Sequence, residues 1–233
     1  MEKIYFDLSH GISENTYHPD GYTVFHNYES YYAHGCRSAR IDITLHFATH
    51  LDVPYHFIEN GKRLDEFKLE HFIGEAVVID LSDTYGPDVA QREPVTAASL
   101  QKHLEDAKLN LKPGDMLVLH TGWHHLYSSK PLYYYKNYCG LSDEAGAWIA
   151  SQGVKLVAFD TCDADEHHFY EKMPPFLPPN HTKNLLANDI LIVENIGGEV
   201  DELLNQRVQL YVIPLNICGE HAASSPARVF AKP

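Results

Sequence analysis

The chain has 233 residues, 44% of them apolar, which is enough to build one sizeable α/β core over residues 1–233. Eighteen basic against 32 acidic residues give a formal charge of −14, which argues against nucleic acid and anionic membranes as partners. No apolar run is long enough to span a bilayer, and the N-terminus lacks the basic-then-apolar layout of a signal peptide, so a cytoplasmic protein is expected.

Residues 3–8 and 40–47 read as strands, and Glu75 to Leu81 as a short buried strand. Thr96, Leu100, His103, Leu104 and Ala107 follow helical spacing until Pro113-Gly114-Asp115 stops the unit and Met116 to Leu119 resumes strand character. The segment 121–139, with Tyr127, Tyr133, Tyr134, Tyr135 and Tyr138, reads as an aromatic loop suited to a pocket wall or a subunit contact. A second helix is signalled by Ser142 as its N-cap, by Asp143 and Glu144 in its first turn and by Gly153 beyond its end. The strand Lys155 to Asp160 follows. After the proline-rich loop from Pro174 to Pro179 come a short helix, Lys183 to Ala187, and two strands, Ile190 to Val193 and Val208 to Leu215. Such alternation predicts an α/β domain with a mixed sheet and flanking helices.

The chemistry concentrates in His46-Phe47-Ala48-Thr49-His50-Leu51-Asp52-Val53-Pro54-Tyr55-His56. Three imidazoles and one carboxylate lie here at even positions, with no Lys or Arg among them. Imidazole nitrogen and carboxylate oxygen are the usual donors for a divalent ion such as zinc. A straight strand, rising about 3.3 Å per residue, would hold His46 and His50 roughly 13 Å apart, so the chain is expected to bend near Ala48 and Thr49. Pro54 argues against a continuing helix. Far downstream, His181 and Glu194 stand at element ends and supply a further pair of donors.

Other residues are read more plainly. His120 ends a strand and is placed to approach the cleft. The pairs His124/His125 and His167/His168 sit in polar stretches where neighbouring side chains point apart, and they are left out of the site. Phe47, Tyr55, Phe57, Trp123 and Tyr133 are candidates to stack on an aromatic substrate. Cys36, Cys139, Cys162 and Cys218 form no Cys-x-x-Cys pair, which fits a reducing compartment. No Gly-x-Ser-x-Gly elbow occurs, and Ser224 and Ser225 read as part of a turn. No Gly-x-Gly-x-x-Gly dinucleotide motif is present either.

The His46–His56 run resembles the signature of the cyclase-type metal-dependent hydrolases, the family of bacterial kynurenine formamidase and isatin hydrolase. Phe6-Asp7-Leu8-Ser9 resembles its opening motif, His120-Thr121-Gly122-Trp123 its Thr-Gly-Trp segment, and Pro226 to Ala231 its closing strand. The resemblance implies a fold of the swivelling β/β/α type, assembly as homodimers or homotetramers, and one or two divalent ions per subunit, zinc first and manganese second. It implies His46, His50, Asp52, His181 and Glu194 as metal ligands, with Asp52 bridging, and His56 as the catalytic histidine that moves protons. The implied reaction is hydrolysis of a carbon–nitrogen amide bond by metal-activated water, in an aryl formamide such as N-formylkynurenine. A cyclic amide, a lactone or a purely metal-binding role are the alternatives. Two departures stand out. Ala48 replaces the usual glycine, which matters if positive φ is needed there. The His181-to-Glu194 spacing is one residue longer than the common pattern, a difference that a bulge at the helix start would absorb.

Overall fold

The computed structural model describes residues 3–19, 24–28, 35, 38–89, 93–166 and 177–233. Its strands are β1 (Phe6–Asp7), β2 (Val24–Tyr28), β3 (Ser38–Asp42), β4 (His50–Asp52), β5 (Ile73–Asp80), β6 (Met116–His120), β7 (Leu156–Phe159), β8 (Leu191–Glu194), β9 (Gln206–Pro214) and β10 (Ser224–Lys232). The α-helices are α1 (Ser82–Tyr85), α2 (Ala97–Asp106), α3 (Pro131–Asn137) and α4 (Asp143–Ser151).

Eight strands form one mixed sheet in the order β1-β10-β4-β8-β7-β6-β5-β9. β10 also pairs with β9, which closes the sheet into a barrel, and β2 and β3 form a separate antiparallel pair. The pairings β5–β6, β6–β7 and β7–β8 are parallel, and the remaining pairings of the barrel are antiparallel. Parallel strands covered on both faces read as unbroken apolar runs. Their alternate residues serve two cores. Val78, Val118, Ala158 and Val193 join Leu51 and Val229 in the interior, whereas Val77, Leu117, Val157 and Ile192 pack with Leu100 and Leu104 of α2 and with Ala145 and Ile149 of α4.

Both amphipathic helices begin as the sequence indicates. The Thr96 side chain accepts from Ser99 N, and the Ser142 side chain accepts from Ala145 N, so each satisfies an otherwise orphaned first-turn amide. Four expectations need correction. The strand expected over 40–47 ends at Asp42, because the chain turns at Leu45 and His46 before β4 begins. The aromatic segment 121–139 is largely helical: Trp123–Leu126 forms a 3₁₀ turn, and Pro131 opens α3 from its first turn, where its missing N–H costs nothing. The short helix expected at Lys183 to Ala187 starts earlier, as a π-helical turn over Asn180–Asn184 followed by a 3₁₀ turn over Leu186–Asn188. Ser224 and Ser225 open β10 opposite Asp52 and Leu51 and do not lie in a turn. Cys36, His167 and His168 lie outside the described residues. Among the described residues, no helix is long and apolar enough to cross a membrane.

Candidate metal centre

The bend anticipated between His46 and His50 is present. Ala48 takes φ 54°, in the left-handed region where glycine is normally favoured, and its side chain is buried beside Phe47 and Trp123. The bend brings the two imidazoles to a centroid separation of 5.3 Å. Thr49 is pinned on the far side, its hydroxyl donating to Asn195 O and its carbonyl accepting from Ala227 N. Immediately afterwards β4 enters the barrel between β10 and β8. The antiparallel register sets His50 opposite Glu194, so sheet pairing alone unites donors far apart in sequence.

All six residues singled out in the sequence converge. His46 Nδ1 is 2.9 Å from Asp52 Oδ1, and His50 Nε2 is 3.7 Å from the same oxygen and 3.4 Å from Glu194 Oε2. His181 Nε2 approaches the other oxygens, 3.8 Å from Asp52 Oδ2 and 3.4 Å from Glu194 Oε1. His56 stacks obliquely on His46 at 4.1 Å and lies 5.9 Å from the His181 ring. The outer ring nitrogens are occupied elsewhere. His50 Nδ1 donates to Ala48 O at 2.8 Å, and His181 Nδ1 donates to Asp165 Oδ2 at 2.8 Å. Each ring therefore presents its Nε2 to the carboxylates, the orientation that outer hydrogen bonds impose on metal-binding histidines. His50 Nε2 and Asp52 Oδ1 are buried, and although His46, Asp52 and Glu194 lie 2.9 to 3.7 Å away, none is aligned to hydrogen-bond them. Orphaned polar atoms at the focus of a His/Asp/Glu set fit a cation, since buried polar groups are otherwise nearly always satisfied.

The electrostatics agree with that fit. Burial opposes charge on Asp52, yet His46, His50 and His56 around it hold the carboxyl well below its ordinary range. Burial lowers His50, but Asp52 and Glu194 outweigh it and raise the imidazole to about 9. Those carboxylates attract whatever positive charge occupies the Nε2 lone pair. His56 differs. Burial pushes it down to about 4, assisted by His46 and His181 and opposed by Asp52, so it is a neutral base at physiological pH.

Sequence reasoning missed the supports. Asp165 holds the backbone N–H of His181 at 3.1 Å and the ring at 2.8 Å, while Ala164 N donates to Glu194 Oε1 at 3.0 Å. Both lie in the run Asp160-Thr161-Cys162-Asp163-Ala164-Asp165 at the carboxyl end of parallel strand β7. Three acids at the end of such a strand are the signal that could have found them, because open α/β sheets place ligands there. Cys162 is on the cavity wall, where desolvation beside Asp163 and Glu194 pushes its thiol well above the ordinary range and disfavours the thiolate.

The donors lie at the floor of a cavity of about 700 Å³ whose walls include Tyr17, Phe57, Leu132, Tyr135 and Tyr138. Of the aromatic residues nominated from sequence, Phe57 lines it. Phe47 and Trp123 are core residues, with Trp123 Nε1 donating to Tyr85 O at 3.1 Å. His120 does not reach this cavity. Its ring turns instead to Asp80 and Asp201, and His124 and His125, set aside as loop residues, meet the same Asp201 carboxylate. Adjacent side chains diverge in strands and helices, but the tight turn over Trp123–Leu126 brings these two rings to 4.0 Å.

Comparison with known proteins places this geometry in context. The Cyclase family model matches residues 6–166. The kynurenine formamidase of Bacillus thuringiensis subsp. konkukian is 25% identical over 195 residues, covering 83% of this chain and 79% of that protein. That of Erythrobacter litoralis is 25% identical over 185 residues, covering 76% and 69%. Among solved structures, an isatin hydrolase bound to the product analogue thioisatinate superposes with a TM-score of 0.83 at 19% identity, over 97% of this chain and 91% of that one. With most of its length matched by the model and the signature histidines gathered around Asp52, the chain belongs to the cyclase family.

Proposed function

We propose that this chain is a metal-dependent amidohydrolase that cleaves the carbon–nitrogen bond of an aryl formamide such as N-formylkynurenine. The observation that carries the reading is the pair of orphaned buried atoms, His50 Nε2 and Asp52 Oδ1, at the floor of an aromatic-walled cavity. In this reading His46, His50, Asp52, His181 and Glu194 hold one or two divalent ions, zinc first and manganese second. Asp52 would serve both groups of imidazoles, because Oδ1 faces His46 and His50 while Oδ2 faces His181. A divalent ion held by these residues would supply a nucleophilic water near neutral pH and polarisation of the substrate carbonyl.

The protein's own groups do the rest. His56, neutral and next to the donors, accepts a proton from water and delivers it to the departing amine nitrogen, which leaves poorly as an anion. Phe57, Tyr135 and Tyr138 offer apolar faces to an aryl ring and exclude bulk water from the carboxylates. A cavity of that size favours turnover over mere ion storage. The same reading includes the swivelling β/β/α type for the fold, one domain over residues 1–233, a homodimer or homotetramer, and a cytoplasmic setting.

A second substrate class has its own support: the likeness to isatin hydrolase extends over nearly the whole fold, and the same walls accommodate a cyclic amide or a lactone. Turnover of N-formylkynurenine, isatin and a simple lactone, each with and without chelator, separates these cases. The expected result is fastest hydrolysis of the formamide, abolished by chelation and restored by zinc or manganese. Preference for isatin or the lactone supports the second class, and bound metal with no turnover on any of the three refutes the hydrolase.

A further inference from the structure

A second constellation of imidazoles and carboxylates lies outside the cavity, at the carboxyl ends of β5, β6 and β7. His120 closes β6, His124 and His125 follow in the 3₁₀ turn, and Asp201 reaches in from the turn Val200–Leu203. Three Nε2 atoms converge on the Asp201 carboxylate: His120 at 3.1 Å from Oδ1, His124 at 3.3 Å and His125 at 2.9 Å from Oδ2. Behind the two buried rings stand two more carboxylates. His120 Nδ1 lies 2.8 Å from Asp80 Oδ1, and His124 Nδ1 lies 3.3 Å from Asp160 Oδ2. Asp160 is itself fixed by the Thr121 amide at 3.0 Å and the Thr121 hydroxyl at 2.6 Å.

The outer carboxylates decide the tautomer. A neutral ring that donates its Nδ1–H outward carries a lone pair on Nε2, so His124, with carboxylates at both ring nitrogens, needs either a second proton or a cation at Nε2, and His120 turns the same atom toward Asp201. Lone pair against carboxylate is repulsive unless positive charge lies between them. His120 shows the consequence, since its Nε2 is buried 3.1 Å from Asp201 Oδ1 and yet makes no hydrogen bond to it. Around these rings Asp80, Asp160 and Asp201 bring three negative charges, which a divalent cation would largely offset. The nitrogen-to-oxygen gaps of 2.9 to 3.3 Å lie just inside the edge of roughly 3.4 Å that a tetrahedral ion with bonds of about 2.1 Å requires, so a small outward shift of the ligands would admit it.

We propose that His120, His124, His125 and Asp201 form a second binding site for a zinc-class divalent cation, separate from the catalytic cavity. His120, His124 and Asp201 would hold the ion from the buried side, and His125, whose Nε2 lies 2.9 Å from Asp201 Oδ2, from the exposed side. Bound there, the ion ties the segment after β6, which carries the buried Trp123, to the turn before β9. The role is that of a clamp: no ligand of this set lines the 700 Å³ cavity.

The test is zinc binding by equilibrium dialysis and metal analysis in the full-length chain carrying Asp52→Asn and Glu194→Gln, which disables the cavity donors. The expected result is retention of one zinc equivalent, lost or weakened at least tenfold on adding Asp201→Asn or His125→Gln. These two half-exposed positions can be changed without opening the core. If the cavity variants fail to fold, the otherwise unaltered chain serves: Asp201→Asn should remove one zinc equivalent and reduce the zinc-induced rise in Tm. Equal zinc content with and without Asp201→Asn, in either background, overturns the second site. Loss of zinc with Asp52→Asn alone bears on the catalytic centre instead, so the two failures are distinguishable.

Discussion

His56 is the imidazole of the cavity set that carboxylates do not claim. Its low proton affinity comes from burial among rings, so its removal should spare the ion and remove the base. His56→Ala should therefore retain metal while kcat falls by about 10²- to 10⁴-fold, the usual span for a lost general base. Asp52→Ala should lose the metal itself, because both of its oxygens face ligand nitrogens. Metal analysis alongside steady-state kinetics separates the two, and near-normal turnover in His56→Ala would remove that residue from the mechanism. Ala48 makes a different demand. A non-glycine residue at φ 54° is strained, and a β-branched side chain there adds crowding against Phe47 and Trp123. Ala48→Val should cost about 3 kcal/mol of stability by denaturant unfolding. Ala48→Gly should be close to neutral, since relief of strain by about 1–2 kcal/mol is offset by chain entropy and the loss of a buried methyl.

At the scale of elements, the segment between His181 and Glu194 opens with the π-helical turn Asn180–Asn184. Its wider loop is closed by Leu185 N donating to Asn180 O at 2.9 Å, so it holds one residue more than an α-helical turn. The turn rests on α4 through Gly146, where an added Cβ would come within 1.8 Å of Asn180 Oδ1. That oxygen accepts from Asn184 Nδ2 at 3.1 Å, and the Asn180 amide donates to Asp165 Oδ1, the residue that also orients His181. Gly146→Ala should thus destabilise the protein by about 2 kcal/mol and weaken metal binding together, although alanine is the better helix former by about 1 kcal/mol. Higher stability with unchanged metal affinity would show that the turn moves aside freely. The same elements explain what was legible in the sequence. Capping residues and periodicity announced α2, α4 and the parallel strands, and the signature run announced His46, His50, Asp52 and His56, because those signals are local; His181 and Glu194 were singled out by their places at element ends and by the family resemblance. Asp165, the π turn and α3 were not announced. The first acts through tertiary contact, the second departs from ordinary helical spacing, and the third is a tyrosine-rich stretch whose composition resembles a pocket wall.

Over the whole molecule, the closed barrel fixes the donors by sheet register, so the site exists only in the folded state and metal affinity is linked to folding and to pH. The sign follows from His50. Its folded imidazole is raised to about 9, above the unfolded value near 6.5, so in chelator-treated protein its protonation stabilises the fold fully below pH 6.5 and fades as pH rises through 9. His181, raised in the same direction by Asp165, Asp52 and Glu194 against the effect of burial, reinforces the trend. His10 and His56, both lowered to about 4 chiefly by burial, titrate below this window and leave it undisturbed. A divalent ion must displace the proton that His50 Nε2 holds. Between pH 6.5 and 9 the Tm of chelator-treated protein should fall, while the increment in Tm caused by saturating zinc should grow. Thermal scans at half-unit pH steps, with chelator and with zinc, measure both slopes. A zinc increment independent of pH would mean that ion and proton do not compete, and that the cation is held away from His50.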